Sequence, residues 1–114
     1  ITDALIAAAN EIEDGHHIEH FIVPAIQGGA GTSINMNVNE ILANRALELT
    51  GHHPGEYQII DPIEHANICQ STNDVVPTSL KVVLLRLFQT LEDAINALRS
   101  VTEEKEKNSR KSKR

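Results

Sequence analysis

We predict an all-α fold from three amphipathic segments, which cover residues 2–14, 33–50 and about 77–106 of the 114-residue chain. In each segment apolar residues recur at steps of three and four, the spacing that lines one face of an α-helix. The stretches between the segments are rich in glycine, proline and histidine, and glycine and proline are typical of turns. A chain of this length fits one modest domain with a real core.

The first helix is predicted over residues 2–14 and should end at Gly15, because glycine is common just past a helix end. Residues 16–26 give mixed signals. Pro24 and its β-branched neighbours favour an extended segment there. The apolar face of this first helix consists of Leu5, Ala8, Ala9 and Ile12.

The second helix is predicted over residues 33–50, with Gly51 as its stop signal. Its first half carries an asparagine at every second position from 35 to 39, although asparagine is a poor residue for a helix interior. Residues 51–70 contain the turn signals HHPGEY and IDPIEH and are predicted to form a loop. The apolar stripe of the second helix is predicted to consist of Ile34, Val38, Ile41, Leu42, Ala46 and Leu49.

The third helix is predicted to begin at Pro77, since the missing N–H of proline costs little in a first turn. Its apolar residues alternate at steps of four and three over about three heptads, which is typical of a seam between packed helices. From residue 77 to 106 it would be ~45 Å long, whereas a compact domain of this size has a radius of gyration of only ~13 Å. The seam therefore needs further helices, from an oligomer or from additional chain. It consists of Leu80, Leu84, Leu87, Leu91, Ala94, Leu98 and Val101.

Composition and charge exclude several classes of partner. The net charge is −6, which argues against nucleic acid, because phosphate binding needs clustered lysine and arginine. Residues 105–114 hold six of the ten basic groups, but such a run is more often a solvated helix end than a binding patch. No apolar run approaches the ~20 residues of a membrane span, and no signal peptide opens the chain. We expect no nucleic-acid or membrane partner and, with Cys69 as the single cysteine, a cytoplasmic location.

The stretch QGGAGTSINMNVNE, residues 27–40, raises the question of what its glycines bind. A phosphate-binding P-loop needs a lysine after its last glycine, and no lysine lies near this loop. The dinucleotide-binding pattern needs a third glycine at the position that Ile34 occupies. Neither phosphate motif describes this loop.

Two motifs carry a resemblance to a known family. QGGAGTSINMNVNEILANRALEL, from residue 27, and QSTNDVVPTSLKVVLL, from residue 70, resemble two motifs of the aspartase/fumarase superfamily. They occur in the order found in that superfamily and about 40 residues apart. The forms GGAGTS and STND are similar to those of the aspartate ammonia-lyase branch, whereas fumarases usually have Thr-Gly-Ser-Gly-Thr-Gln and Ser-Ser-Asn-Asp.

The resemblance implies a fold and an activity. It implies a small N-terminal helical lyase domain at residues 1–73 and, at 74–114, the first long helix of a fumarase/aspartase-type helical bundle. The implied reaction converts the dicarboxylate L-aspartate to fumarate and ammonia without a cofactor, in a homotetramer whose sites each use three subunits. The alternatives are a class II fumarase, which acts on malate, and a helical interaction module without chemistry. Residues 61–65, DPIEH, lack the leading histidine and the asparagine of the His-Pro-Asn-Asp pattern at a second anion site of fumarases, which weighs against the fumarase.

Four residues are expected to bind substrate by this resemblance: Thr32, Ser71, Thr72 and Asn73. Thr32 should lie at the substrate, Ser71 and Thr72 should donate to the carboxylate that gains charge, and Asn73 should lie near the amino group. The residues alone also allow a plainer interpretation, in which Ser71, Thr72 or Asn73 caps the long helix. No catalytic residue is expected here, because the serine loop and the Thr-His pair of the superfamily are absent, so the chain alone should be inactive.

Other polar residues allow two interpretations each. Asn35 and Asn39 fit a buried, hydrogen-bonded setting because an amide both donates and accepts, although exposure or a local capping role is the alternative. His16 and His20 have metal-ligand spacing if their segment is helical, but zinc sites need three or four converging ligands. We therefore expect no metal site. Cys69 is expected to be a small buried apolar residue rather than a reactive thiol.

Overall fold

The structure is a computed structural model that describes residues 1–26 and 28–112. Gln27, the first residue of the glycine motif, and residues 113–114 of the basic tail lie outside the described residues. No strand occurs in the described ranges, so the all-α prediction is confirmed. The elements are α1 (Thr2–Glu13), a 3₁₀ turn (Ile18–His20), α2 (Thr32–Leu49), a π-helical turn (Pro62–Ala66) and α3 (Thr72–Ser112).

The chain divides into two compact units, Ile1–Val76 and Pro77–Arg114. The first unit contains α1, α2, both short turns and the first residues of α3. The second unit is the remainder of α3 together with the end of the chain. None of the helices in the described ranges is long and apolar enough to cross a membrane.

The first two helices end as the glycines predict. The Gly15 amide donates to the carbonyl of Ile12, and the His16 amide donates to the carbonyl of Glu11. This pair of bonds is the Schellman motif, which satisfies carbonyls that the last helical turn leaves without partners. The same two bonds close α2 after Gly51. The predicted stop signals at both glycines are therefore confirmed.

The core of the first unit lies where α2 packs against α1 and against the segment that leads to the π-helical turn. Leu47 and Ile60 are its largest fully buried side chains. They are joined by the buried alanines Ala43 and Ala46, while Tyr57 and other partly buried residues cover the cluster. Small alanines on α2 allow the neighbouring backbone to approach closely, so a short chain still forms a packed core.

The buried face of α2 differs from the predicted apolar stripe. Leu49 is 42% exposed, whereas Asn35 and Asn39 are each only 5% exposed and lie on the same face as Ala43 and Leu47. Positions 35, 39, 43 and 47 recur every four residues, which is a helical face in its own right. The prediction counted only apolar residues and therefore placed the face at the wrong angle near both ends of the helix. The prediction that asparagine is buried here is confirmed.

The third helix begins earlier and ends later than predicted. It starts at Thr72, and Pro77 lies inside it rather than in its first turn. Proline within a helix removes one backbone bond, here the bond that residue 77 would donate to the carbonyl of Asn73. With 41 residues the helix is ~60 Å long. Its leucine seam is exposed throughout the described part of this chain, from Leu84 at 42% to Leu98 at 68%.

Both connecting segments contain short helical turns that were not predicted. The segment after α1 forms the 3₁₀ turn Ile18–His20 instead of an extended strand-like path. The predicted loop at 51–70 contains the π-helical turn, which Asp61 caps. Cys69 is exposed and has a positive φ of 58°, so the prediction of a buried cysteine is wrong. Its left-handed backbone lies in a tight turn and does not point the side chain into the core.

Candidate functional site

The glycine loop approaches the first turns of α3. Gly31 precedes Thr32, the first residue of α2, and has a positive φ of 88°. A Cβ atom added to Gly31 would lie 3.0 Å from Cγ1 of Val76. Position 31 therefore requires glycine for two reasons, its backbone conformation and its contact with α3. The start of α2 and the start of α3 are consequently neighbours.

Three asparagines connect the two motifs. The amide Nδ2 of Asn35 donates to Oγ1 of Thr72 at 3.0 Å and to Oδ1 of Asn67 at 3.2 Å. Asn39 donates to the same Asn67 oxygen at 3.0 Å. Asn67 in turn donates to the carbonyl of Gln70 at 3.0 Å. No buried side-chain nitrogen or oxygen in the described residues lacks a hydrogen-bond partner, so this polar cluster is satisfied internally.

This network leaves the Thr72 hydroxyl available as a hydrogen-bond donor. A hydroxyl has one hydrogen to donate and two lone pairs that accept. Because Asn35 donates to Oγ1, the Thr72 hydrogen is left to donate to another group. Thr72 is also the first residue of α3, and the positive end of a helix dipole favours a negative group nearby. The geometry therefore presents a neutral hydrogen-bond donor at a site that suits an anion.

Ser71 has the capping role that the sequence allowed. It directly precedes α3, and its Oγ accepts from the backbone amide of Asn73 at 3.2 Å. An N-cap hydroxyl of this kind satisfies a first-turn amide through its oxygen and keeps its hydrogen for another acceptor. Ser71 and Asn73 are exposed, and Thr72 is half-buried. Capping and ligand binding are thus compatible at Ser71.

The structure brings the four predicted residues to two neighbouring helix starts. Asn35, which bonds to Thr72, follows Thr32 by three residues in α2, and Thr32 itself is exposed. Ser71 and Asn73 flank Thr72 in the chain. This placement concerns position alone, and the role of these residues as substrate ligands stays a prediction.

Asn67 is the residue that sequence reasoning missed. Its side-chain oxygen Oδ1 accepts from both buried asparagines of α2. Asn67 is also the C-cap of the π-helical turn. Asp61 fixes that turn by accepting from the amides of Glu64 and Ile63 at 2.8 and 2.7 Å. These amides lower the pKa of the Asp61 carboxyl below its usual value. The available signal was indirect, because two buried amides four residues apart require an acceptor from elsewhere in the chain.

A second charged cluster lies farther along α2. Arg45 donates to Glu11 through Nε at 2.6 Å and through Nη2 at 3.1 Å. His17 Nε2 lies 2.8 Å from the same carboxylate. The hydrogen bond from Arg45, followed by that from His17, lowers the pKa of Glu11 to about 2. Arg45 is ten residues beyond Asn35 in α2, or ~15 Å along the axis, so this cluster is separate from the asparagine network.

Comparison with known proteins identifies the family. The family model described as "Lyase" matches residues 1–112. Aspartate ammonia-lyase of Escherichia coli strain K12 is 49% identical over 106 residues, and that of Bacillus subtilis strain 168 is 47% identical over 105 residues. Each alignment covers 92% of this chain and 22% of the relative.

A solved structure agrees with these relatives. The crystal structure of fumarate lyase:delta crystallin from Brucella melitensis is similar with a TM-score of 0.71 and 53% sequence identity. The alignment covers 73% of this chain and 19% of that chain. This chain therefore spans about a fifth of the length of the proteins it matches. The resemblance seen in the two motifs is confirmed, and the chain belongs to the lyase family.

Proposed function

We propose that this chain carries part of the substrate site of an aspartate ammonia-lyase, which converts L-aspartate to fumarate and ammonia. The observation that carries the proposal is the bond from Asn35 to Thr72, which joins the two motifs at one place. The aspartate ammonia-lyases from Escherichia coli and Bacillus subtilis, at 49% and 47% identity, support the choice of reaction. The proposed substrate ligands are Thr32, Ser71, Thr72 and Asn73.

The reaction explains why neutral donors suit this site. A base removes a proton from the carbon beside the side-chain carboxylate, and the extra negative charge develops on the carboxylate oxygens. Donors that already point at those oxygens lower the barrier, because they need no reorganisation when the charge appears. In the proposal the hydroxyls of Ser71 and Thr72 are these donors, while their oxygens accept from Asn73 and Asn35 respectively.

Thr32 and Asn73 have the remaining roles. Thr32 lies at the start of α2, directly after the glycine that approaches α3, so its hydroxyl is proposed to contact the substrate from the opposite helix. Asn73 is proposed to lie near the amino group, since an amide oxygen accepts from an ammonium. No residue of this chain is proposed as the base, and the chain alone is expected to bind weakly and to be inactive.

The proposal extends to the whole enzyme. It keeps the division into an N-terminal domain at residues 1–73 and a helical-bundle domain from residue 74. The exposed leucine seam of α3 supports assembly with further helices, which we propose belong to a cytoplasmic homotetramer. The chemistry as proposed uses no cofactor.

The test is the ultraviolet absorbance of fumarate formed by the product of the complete gene. We expect fumarate from aspartate, and replacement Thr72→Val should lower kcat about 10²–10³-fold. Thr72→Ser should restore most of the activity because it keeps the hydroxyl. The matched control is Thr102→Val, since Thr102 is another α3 threonine and bonds only to the carbonyl of Leu98 at 2.9 Å among the described residues.

The other outcomes discriminate the alternatives. Fumarate from malate but not from aspartate would replace the proposal with the fumarase. If neither substrate gives a product, the remaining alternative is the helical interaction module without chemistry. Equal activities of Thr72→Val and Thr102→Val would retain the lyase and reject the proposed site.

A further inference from the structure

The segment after α1 gathers three groups that can bind a metal ion. The ligand atoms of His17, Glu19 and His20 all lie within 4.8 Å of one another. The rings of His17 and His20 are stacked, with centroids 6.1 Å apart. A 3₁₀ turn brings positions three apart onto the same side, which explains why His17 and not His16 is the neighbour of His20. A metal site formed by His16 and His20, four residues apart, would instead have required an α-helix in this segment.

Glu11 orients the imidazole of His17. Its carboxylate lies 2.8 Å from His17 Nε2 and also accepts two bonds from Arg45. When a neutral His17 donates its Nε2–H to this carboxylate, Nδ1 is the ring nitrogen that can bind a metal ion. Histidines that bind metals usually donate their other ring N–H to a carboxylate in this way.

Asn37 on α2 fixes the position of this segment. Its amide donates to the carbonyl of His20 at 3.0 Å, and its oxygen accepts from the amide of Ile22 at 3.2 Å. His17 has a left-handed backbone with a φ of 63°. Such a conformation is uncommon for a residue other than glycine. Glu11 on α1 therefore holds the ring of His17, and Asn37 on α2 holds the backbone at His20.

The surroundings of the two histidines favour a cation. They line an open cavity of about 230 Å³ whose walls also include Glu40, Arg45 and Glu48. Arg45 is already paired with Glu48 at 2.9 Å and with Glu11. The carboxylates of Glu11, Glu40 and Glu48 therefore accompany the guanidinium of Arg45. The local charge is negative when the histidines are neutral.

We propose that His17, Glu19 and His20 form a binding site for a divalent transition-metal ion of the zinc, cobalt and nickel class. Two imidazoles and one carboxylate suit these ions, whereas magnesium and calcium prefer oxygen ligands alone. Three protein ligands leave at least one position open for water or an exogenous ligand, in contrast to a closed structural site with four. The site uses none of the residues proposed for substrate binding, so the two proposals can fail independently.

The test is a titration of the untagged product of the complete gene with Co²⁺, followed by visible absorption. All proteins carry Cys69→Ser, because the exposed thiol would bind the same ions. We expect saturable binding that is lost in His20→Ala and in His17→Ala. The matched control is His16→Ala, since His16 is an exposed histidine beside the site and outside the cluster. Equal losses in His16→Ala and His20→Ala, or no saturable binding, would overturn the proposal.

Two further measurements examine the mechanism of binding. Glu11→Gln should weaken Co²⁺ binding about 10–100-fold, as expected when the group that orients a ligand is changed. Since Glu11 also bonds to Arg45, circular dichroism must show that this variant is folded, and the His20→Ala result stands without it. Excess Mg²⁺ should not displace Co²⁺, and displacement at comparable concentration would contradict the assigned class of ion.

Discussion

The helix α2 buries polar side chains, whereas α3 exposes apolar ones. On α2 the amides of Asn35 and Asn39 are 5% exposed. On α3 the seam residues Leu91 and Leu98 are 52% and 68% exposed. Buried amides require partners inside the unit, and the asparagine network supplies them. Exposed leucines at heptad spacing require partners, and the described residues of this chain leave them uncovered. The buried amides of α2 thus support the proposed ligand site, and the exposed leucines of α3 support the proposed interface.

The largest expected effect is the loss of assembly when the seam is charged. Leu91→Glu places a carboxylate in the proposed interface and should convert the oligomer to smaller species in sedimentation velocity. Asn96→Glu adds the same charge to an exposed position of α3 away from the seam and should leave the sedimentation coefficient unchanged. A wild-type protein that sediments as a monomer at micromolar concentration would contradict the interface itself.

The next effect compares two leucines on α2. Leu47 is fully buried and Leu49 is 42% exposed. Leu47→Ala should lower the free energy of unfolding by about 2–5 kcal/mol, whereas Leu49→Ala should change it by less than about 1 kcal/mol. Urea denaturation of both variants measures the difference. Similar losses in the two variants would mean that Leu49 is covered in the whole protein, and would extend the interface to the first unit.

A smaller effect on stability is expected when a buried asparagine of α2, rather than an exposed asparagine of α3, is changed to aspartate. Asn35→Asp removes the donor that bonds to Thr72 and Asn67, and it should destabilise the fold by about 1–3 kcal/mol. It should also lower kcat, because the Thr72 hydrogen would turn towards the new carboxylate. The exposed Asn96 provides the control Asn96→Asp. An Asn35→Asp enzyme that lost stability but kept its full kcat would show that the network is structural alone.

The smallest expected effect is a pH dependence of stability from Glu11. The pKa of this group falls from 4.5 to about 2 on folding, first because of Arg45 and then His17. A lowered pKa stabilises the fold above pH 4.5, and this contribution is lost as the pH falls towards 2. Glu11→Gln should therefore lose less stability than wild type between neutral pH and a pH inside this interval. Glu13→Gln removes a carboxyl group from the same helix and is the matched control.

The sequence allowed the regular parts of the fold to be predicted, because they depend on local signals. Periodicity located the three helices, and Gly15 and Gly51 marked two of their ends. The start of α3 was misplaced because proline was interpreted as a first-turn residue. Ser71 caps that helix and five residues precede Pro77 within it, so the loss of one internal bond is tolerated.

The candidate site could be predicted only in part, since its geometry depends on contacts between distant residues. Thr32 and residues 71–73 were predicted through their motifs, and their binding role stays a prediction. Asn67 was not, because its role requires the amides of Asn35 and Asn39, about 30 residues earlier, to meet it in space. The grouping of His17 with His20 was missed for a local reason, because a 3₁₀ turn has a different periodicity from an α-helix.

The close approach at Gly31 limits how this loop can be redesigned. A side chain at Gly28 would meet no atom within 4 Å, so that position is open to variation. At Gly31 even alanine would press on Val76, and shortening that valine would relieve the crowding without relieving the positive φ. A library randomised across the loop should therefore recover active enzymes with many residues at 28 and with glycine alone at 31. Redesign of this loop would therefore have to begin at positions other than Gly31.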